Sequence, residues 1–410
     1  MKSEQLILRL FGLGLLFFVA SMIWGPGLET LLHQFEFGPF FSGLTLGVAV
    51  VAVGLCPGRQ EAVILALACL AVEVQRIFSQ WNPAFVGVVT VTGARAAVVG
   101  GLHLLLSAGL RPQLRRRNLV GLAHALTLPL LYAGSAGLQK NASSAETLTY
   151  DLFYYAADLR LGPPWCFRVF SWTHLSFAFY TFGYLAYFSL SHFMGVSAAI
   201  WYLRPRGLNP NLYFSAGALF GVLGYGLAPG VGPQVTFQKL YPFDPPPMDA
   251  PQLILAYPGP PRNTMPSLHL FWAYSCWVCL STQGFWLEAI GLAYLLTMPL
   301  VAFLGSHYLV DYLATLPATA PVHLAVLWLS CRVPPDPTLR YLALAAGLFA
   351  PAYLALLVVG SPFWLVDPWM LKLASLAALI LTVGASRRLR TYLRRCAPSA
   401  SRLGSDPNPA

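Results

Sequence analysis

Charge is the scarcest thing in this chain: 10% of its 410 residues are Asp, Glu, Lys or Arg, against 57% hydrophobic, with a mean hydropathy of +0.62. A soluble domain carries about a quarter charged residues, so that class is excluded. Seven cysteines are scattered along the chain. Cys276 and Cys279 are spaced as a C-x-x-C pair, but they lie in an apolar run with no second pair to complete a zinc site, and packing is their expected role. The loops lack a carboxylate cluster for magnesium, so no metal and no cofactor are expected. A small-residue cleavage site is missing after the first apolar run, which therefore reads as a retained span and excludes a secreted soluble product. Neither a soluble domain nor a short internal repeat is visible.

What remains is a series of long, unalternating apolar runs. Lipid admits only helices or closed barrels, and runs of this length are helices, so the expected class is all-α and polytopic. About twelve spans are expected, at 5–24, 39–55, 61–78, 84–108, 118–138, 173–198, 211–228, 267–283, 286–304, 307–330, 340–360 and 366–385. The net charge of +10 comes from arginines grouped in short loops: Arg111, Arg115, Arg116 and Arg117, then Arg204 and Arg206, Arg332 and Arg340, and Arg387 to Arg395. That pattern speaks for membrane orientation rather than nucleic acid. With both termini cytoplasmic, these loops fall inside and the loops 139–172, 229–266 and 305–306 fall outside. The chain divides into additional N-terminal helices (1–110), a core (118–332), two C-terminal helices (340–386) and a basic, then disordered, cytoplasmic tail (387–410).

The outer loop 229–266 is dense in proline and glycine, including Pro229-Gly230-Val231-Gly232-Pro233, and is expected to take a fixed non-helical path at the mouth of a site. Segment 150–170 mixes aromatics with Asp151, Asp158, Arg160 and Arg168 and reads as a helix at the interface, its two aspartates solvated or facing an acceptor's hydroxyls. Histidines inside spans, such as His103, His124, His192 and His323, read as interhelical hydrogen-bond partners. So do Glu73, Arg76 and Arg95 within the additional bundle.

Two histidines differ, because each sits in a polar phrase at an outer helix end: Pro266-Ser267-Leu268-His269 and His307-Tyr308-Leu309-Val310-Asp311. His307 and Asp311 are four apart, so on a helix the carboxylate can hold one ring nitrogen while the other faces a substrate. That pair suits a nucleophile or base with its orienter. Ser267 follows a proline that can open a helix, where its hydroxyl and free N–H groups can meet an anion, and His269 beside it suits an acid.

These phrases resemble the second and third signature motifs of the type 2 phosphatidic acid phosphatase superfamily. Pro-Ser-Leu-His and the upstream Pro229–Pro233 phrase are most similar to the inositol-phosphorylceramide synthase branch. The resemblance covers about residues 118–330 and implies a six-helix core. It also implies that His307 takes the phosphoryl group, Asp311 orients it and His269 protonates the leaving oxygen. The superfamily's first motif, K-x6-R-P, is absent: Arg204-Pro205 has Ser197 in the lysine's place, and Leu300 and Val301 stand where the third motif opens with Ser-Arg. Positive charge must come from elsewhere on the outer side, where Arg262, Lys239, Arg160, Arg168 and Lys140 lie. Arg262, seven residues before His269, is the favoured phosphate ligand, with Asn263 beside it and Ser267 and Lys239 completing the substrate-binding set.

The function expected is therefore a metal-independent lipid phosphotransferase acting through a phosphohistidine at the outer face of the membrane. Water as acceptor gives a phosphatase of the same superfamily. A transporter or flippase using the same polar residues, or a glycosyltransferase with Glu29 and Glu36 in its first outer loop, are the readings from other classes. The expected partners are membrane lipids, with a phospholipid or sphingolipid-type substrate, no nucleic acid and no obligate protein. Arginine-rich loops and few lysines suggest a bacterial plasma membrane, with the site facing the periplasm or exterior.

Overall fold

A computed structural model of the chain describes residues 2–24, 39–79, 92–143, 147–205, 207, 209–256, 263–302, 305–330 and 336–396. These residues are mostly helical. The first five helices are α1 (Lys2–Trp24), α2 (Pro39–Leu55), α3 (Arg59–Ser79), α4 (Ala94–Leu110) and α5 (Pro112–Ser143). A short strand, β1 (Thr147–Thr149), leads to α6 (Asp151–Leu161), α7 (Trp165–Leu175), α8 (Phe177–Phe188), α9 (Leu190–Leu203) and α10 (Pro210–Leu227). The loop that follows holds α11 (Pro233–Phe237), a 3-10 turn and β2 (Ile254–Ala256), which pairs antiparallel with β1. The chain ends in α12 (Leu268–Leu280), α13 (Phe285–Ala302), α14 (Leu309–Ser330), α15 (Pro337–Val358), α16 (Ser361–Val366) and α17 (Trp369–Cys396).

Among the described residues, three helical stretches are long and apolar enough to cross a membrane: Leu309–Leu327, Pro337–Val358 and Trp369–Leu393. Along α15 and α17 the large side chains of Leu344, Leu348, Leu373, Leu376, Ile380 and Val383 are exposed. A row of that kind is costly in water and ordinary against lipid. The apolar stretches Phe40–Leu55, Ala94–Leu110, Leu190–Leu203, Leu268–Leu280 and Phe285–Met298 are shorter.

The largest buried cluster surrounds α6, where Tyr154, Tyr155, Ala156 and Ala157 have no exposed surface. This helix packs against α14, α15, α16 and α17, so it is enclosed by other helices. The segment expected as one helix is two, because Gly162, Pro163 and Pro164 separate α6 from α7. The single span expected over 173–198 is likewise divided. Ser176 caps α8 by accepting the Phe179 N–H, and the Ser189 hydroxyl turns back to the Ala186 carbonyl at the next break. Residues 84–91 of the segment expected over 84–108 lie outside the described residues. At the other end, the basic residues 387–396 continue α17 as helix, while the disordered tail expected after them lies outside the described residues.

The additional helices pack closely through small residues. A Cβ on Gly47 of α2 would come within 2.7 Å of the Gly195 carbonyl oxygen on α9, a distance only two glycines permit. Polar groups in the core and in the additional helices are paired as expected: in the core His124 meets the Ala198 carbonyl at 3.0 Å and Asn211, and in the additional helices Glu73 accepts the Gly93 and Ala96 N–H groups at the start of α4. His323 lies 2.6 Å from the Thr319 carbonyl, and Cys276 and Cys279 are buried free thiols.

Candidate active site

The two histidine phrases come together. His307 precedes α14 and His269 occupies the first turn of α12, and their ring centroids are 5.7 Å apart at 68°. Ser267 is the N-cap of α12: its side chain accepts the Leu270 N–H, and its own N–H donates to Thr315 Oγ1 at 2.8 Å. Thr315 in turn donates to the Asp311 carbonyl, which locks the two helix starts to each other.

Around His307 the bonds define a tautomer. Nδ1 faces two acceptors, the Thr264 carbonyl at 2.9 Å and Asp311 Oδ2 at 3.3 Å, so the proton belongs on Nδ1. Nε2 keeps its lone pair and points at Ser267 Oγ, 3.4 Å away. The Asp311 carboxylate also accepts the Tyr308 N–H at 2.8 Å, while its Oδ1 is buried without a hydrogen-bond partner among the described residues.

His269 is held by rings. Tyr187 of α8 stacks on it at 4.0 Å, and Phe40 of α2 meets it edge-on at 5.4 Å. Its Nε2 is buried with no hydrogen-bond partner among the described residues, available to a group that enters the site. The Tyr187 hydroxyl reaches Ser306 Oγ at 3.5 Å, tying the ring stack to the residue before His307.

Two aspartates build the support. Asp158 of α6 accepts the Leu309 and Val310 N–H groups at 2.8 and 3.0 Å, serving as a remote cap for α14. Burial pushes its carboxyl up to about 7, against the pull of the two N–H groups. Asp151 accepts the Val231 and Gly232 N–H groups and the Tyr308 hydroxyl at 3.1 Å, so it anchors the Pro-Gly loop to the His307 turn. Both are fully buried, which corrects the expectation that they are solvated or face an acceptor.

The expected substrate-binding residues are not all brought to the histidines. Ser267 is in the cluster, and Asn263 is half-buried one residue before Thr264. Lys239 is exposed on the 3-10 turn, and no hydrogen bond or ion pair joins it to the cluster among the described residues. Arg262 and the Lys140 side chain lie outside the described residues. Arg160 pairs with Asp249 at 3.5 Å, and Arg168 is exposed on α7. The supporting residues Thr264, Thr315, Tyr187 and Phe40 carry no motif. Alongside the site, an apolar cavity of about 760 Å³ is walled by Leu270, Tyr274, Leu309, Tyr312, Leu313 and Lys372, and the Tyr312 ring lies 5.9 Å from that of His307.

No protein-family model matches the chain, and neither the curated proteins nor the solved structures include a significant match to it.

Proposed function

We propose that the protein is an integral membrane phosphotransferase that moves a phosphoryl head group from a lipid phosphate ester to a hydroxyl acceptor through a phosphohistidine at His307. The observation that carries this is the double acceptor on Nδ1, which leaves Nε2 as a neutral nucleophile beside a second imidazole and a helix start. The resemblance of the two histidine phrases to the type 2 phosphatidic acid phosphatase superfamily supports the same assignment. So does the apolar cavity beside Tyr312, which suits a lipid tail.

In the first step Nε2 attacks phosphorus, the P–N bond forms and the P–O bond to the leaving alcohol breaks. The His269 imidazolium gives its proton to that oxygen. In the second step the acceptor hydroxyl attacks, its proton passes to His269, and the P–N bond breaks. Ser267 Oγ and the open N–H groups of the first turn of α12 hold the phosphoryl oxygens, with Arg262 and Asn263 adding charge and a donor. Asp311 and the Thr264 carbonyl keep the ring oriented through both steps. Water in the second step gives a phosphatase with the same intermediate.

The twelve-span arrangement belongs to this proposal. In it the core 118–332 would cross six times, with α8 and α9 together as one crossing, and both histidines would lie at the outer face with the arginine-rich loops inside. The additional helices flank this core, and a bacterial plasma membrane is the proposed location.

The test is incubation of the detergent-purified protein with phosphate-labelled phospholipids, with and without alcohol acceptors, for wild type and His307→Ala. Label that moves to the acceptor in the wild type and stays put in a folded His307→Ala protein supports the transferase. Label released as free phosphate selects the phosphatase. Undiminished turnover in His307→Ala refutes the mechanism, and no turnover with any lipid shifts the weight to transport.

A further inference from the structure

Far from the histidine pair, a second group of polar side chains meets where α2 ends, α3 begins and α4 passes. Cys56 Sγ lies 3.6 Å from His103 Nε2, and His103 Nε2 lies 3.4 Å from Glu61 Oε1. The three donor atoms are all within 4.8 Å of one another. In a tetrahedral zinc site, with about 2.3 Å to sulfur and about 2.0 Å to nitrogen or oxygen, the S···N and N···O separations are about 3.5 and 3.3 Å. Two of the three edges of such a tetrahedron are therefore already in place, and the third, from Cys56 Sγ to the Glu61 carboxylate, is within 4.8 Å and closes by side-chain rotation.

We propose that Cys56, Glu61 and His103 form a binding site for a divalent transition metal of the zinc class, with its fourth position open. A thiolate, an imidazole and a carboxylate favour zinc over the hard cations calcium and magnesium. The groups are partly exposed, with the His103 and Glu61 side chains at 23% and 27%, so an ion can reach them. Arg111 donates to both Glu61 oxygens at 3.0 Å. It can keep Oε2 while Oε1 turns to the metal, an arrangement in which an outer partner fixes the ligand. Cys56 Sγ donates to the Ala52 carbonyl at 3.4 Å. On binding, that S–H bond breaks, the proton leaves to solvent and the thiolate takes the metal. His103 binds through the Nε2 lone pair of its neutral form.

The site is separate from the catalytic pair. Phe40 touches His269 near the start of α2 and Cys56 follows its end, 16 residues on, which is about 24 Å along a helix axis. Its effect is to tie the junction between α2 and α3 to the middle of α4.

The experiment uses the untagged full chain in detergent, stripped with a chelator, reloaded with Zn²⁺ or Co²⁺ and desalted. About one metal per chain should remain, and the cobalt form should show thiolate-to-metal charge transfer with the intense visible bands of tetrahedral cobalt. Cys56→Ala and His103→Gln should lose both signals. Zn²⁺ should also shield Cys56 of the wild type from alkylation, read by peptide mass spectrometry, a measurement that needs no variant to fold. Retention of no metal, a cobalt spectrum without the thiolate band, alkylation of Cys56 indifferent to Zn²⁺, or unchanged binding by a folded Cys56→Ala protein would each overturn the proposal.

Discussion

The carbonyl of Thr264 lies 2.9 Å from Nδ1 of His307, closer than the Asp311 carboxylate at 3.3 Å. A main-chain group thus shares the work of holding the ring, and the carboxylate's shortest bond is to the Tyr308 N–H at 2.8 Å. In a triad whose histidine is held by the aspartate alone, Asp to Asn costs about 10⁴-fold in rate by favouring the wrong tautomer. Here Asp311→Asn should cost less, about 10- to 100-fold, because the Thr264 carbonyl still demands a proton on Nδ1. His307→Ala should fall to background. A label-transfer assay on both variants checks this, and equal loss in the two would mean that the carbonyl does not hold the tautomer.

Asp158 reaches across 151 residues to cap α14, and its removal should be felt in stability first. Asp158→Ala leaves two buried N–H groups without acceptors, each worth about 1 to 3 kcal/mol. The pH dependence has a definite sign. The carboxyl titrates near 3.8 when unperturbed and is pushed up to about 7 by burial in the folded protein. Between those values the folded state holds a proton that the unfolded chain has lost. The group therefore favours folding most below about 4, and this contribution fades as pH rises to about 7. Thermal unfolding in detergent should give a larger gap between pH 5 and pH 8 for wild type than for Asp158→Asn, and identical gaps would sink the assignment.

Part of the histidine site was legible because it is written in local spacing. His307 and Asp311 are four apart and do meet, although His307 stands just before α14 and not on the helix that the spacing predicts, and Pro266-Ser267 marks the start of α12. The shell around them follows no such rule. Thr264 acts through its carbonyl, which any residue supplies, and Asp158 caps a helix from which it is remote in sequence. Hydropathy read 173–198 as one span because Ser176 and Ser189 hardly lower the mean, yet each offers its hydroxyl to a nearby backbone group and divides the run. Burial of α6 was hidden for the opposite reason. Its aspartates look solvated until their partners, the N–H groups at the start of α14 and in the Pro-Gly loop, are known.

Tyr187 is the neighbour most intimately placed on His269, stacked at 4.0 Å. Stacks of this kind are worth about 0.5 to 1.5 kcal/mol, which as lost ring positioning is up to about tenfold in rate. Tyr187→Leu should therefore lower turnover by about that factor. Tyr187→Phe keeps the ring and gives up only the long 3.5 Å bond to Ser306, so it should stay within about twofold of wild type. Equal losses in the two variants would show that the hydroxyl matters and the stack does not.

Gly232 joins the Pro-Gly loop to the His307 turn and has no tolerance for a side chain. Its φ of 85° and ψ of 162° fall in a region that is essentially glycine's alone. A Cβ there would stand 2.7 Å from the Ser306 carbonyl oxygen, a main-chain atom that cannot step aside without moving His307. Gly232→Ala should cost about 1 to 3 kcal/mol in backbone strain, and it should also displace the turn that presents Nε2. The expected outcome is a lower unfolding temperature together with a loss of label transfer greater than the loss of folded protein. An alternative replacement at a looser position separates the two effects. Gly226 has open space around its Cβ position, so Gly226→Ala should leave the transfer rate near that of wild type. If Gly232→Ala is as active and as stable as Gly226→Ala, the loop does not set the position of His307.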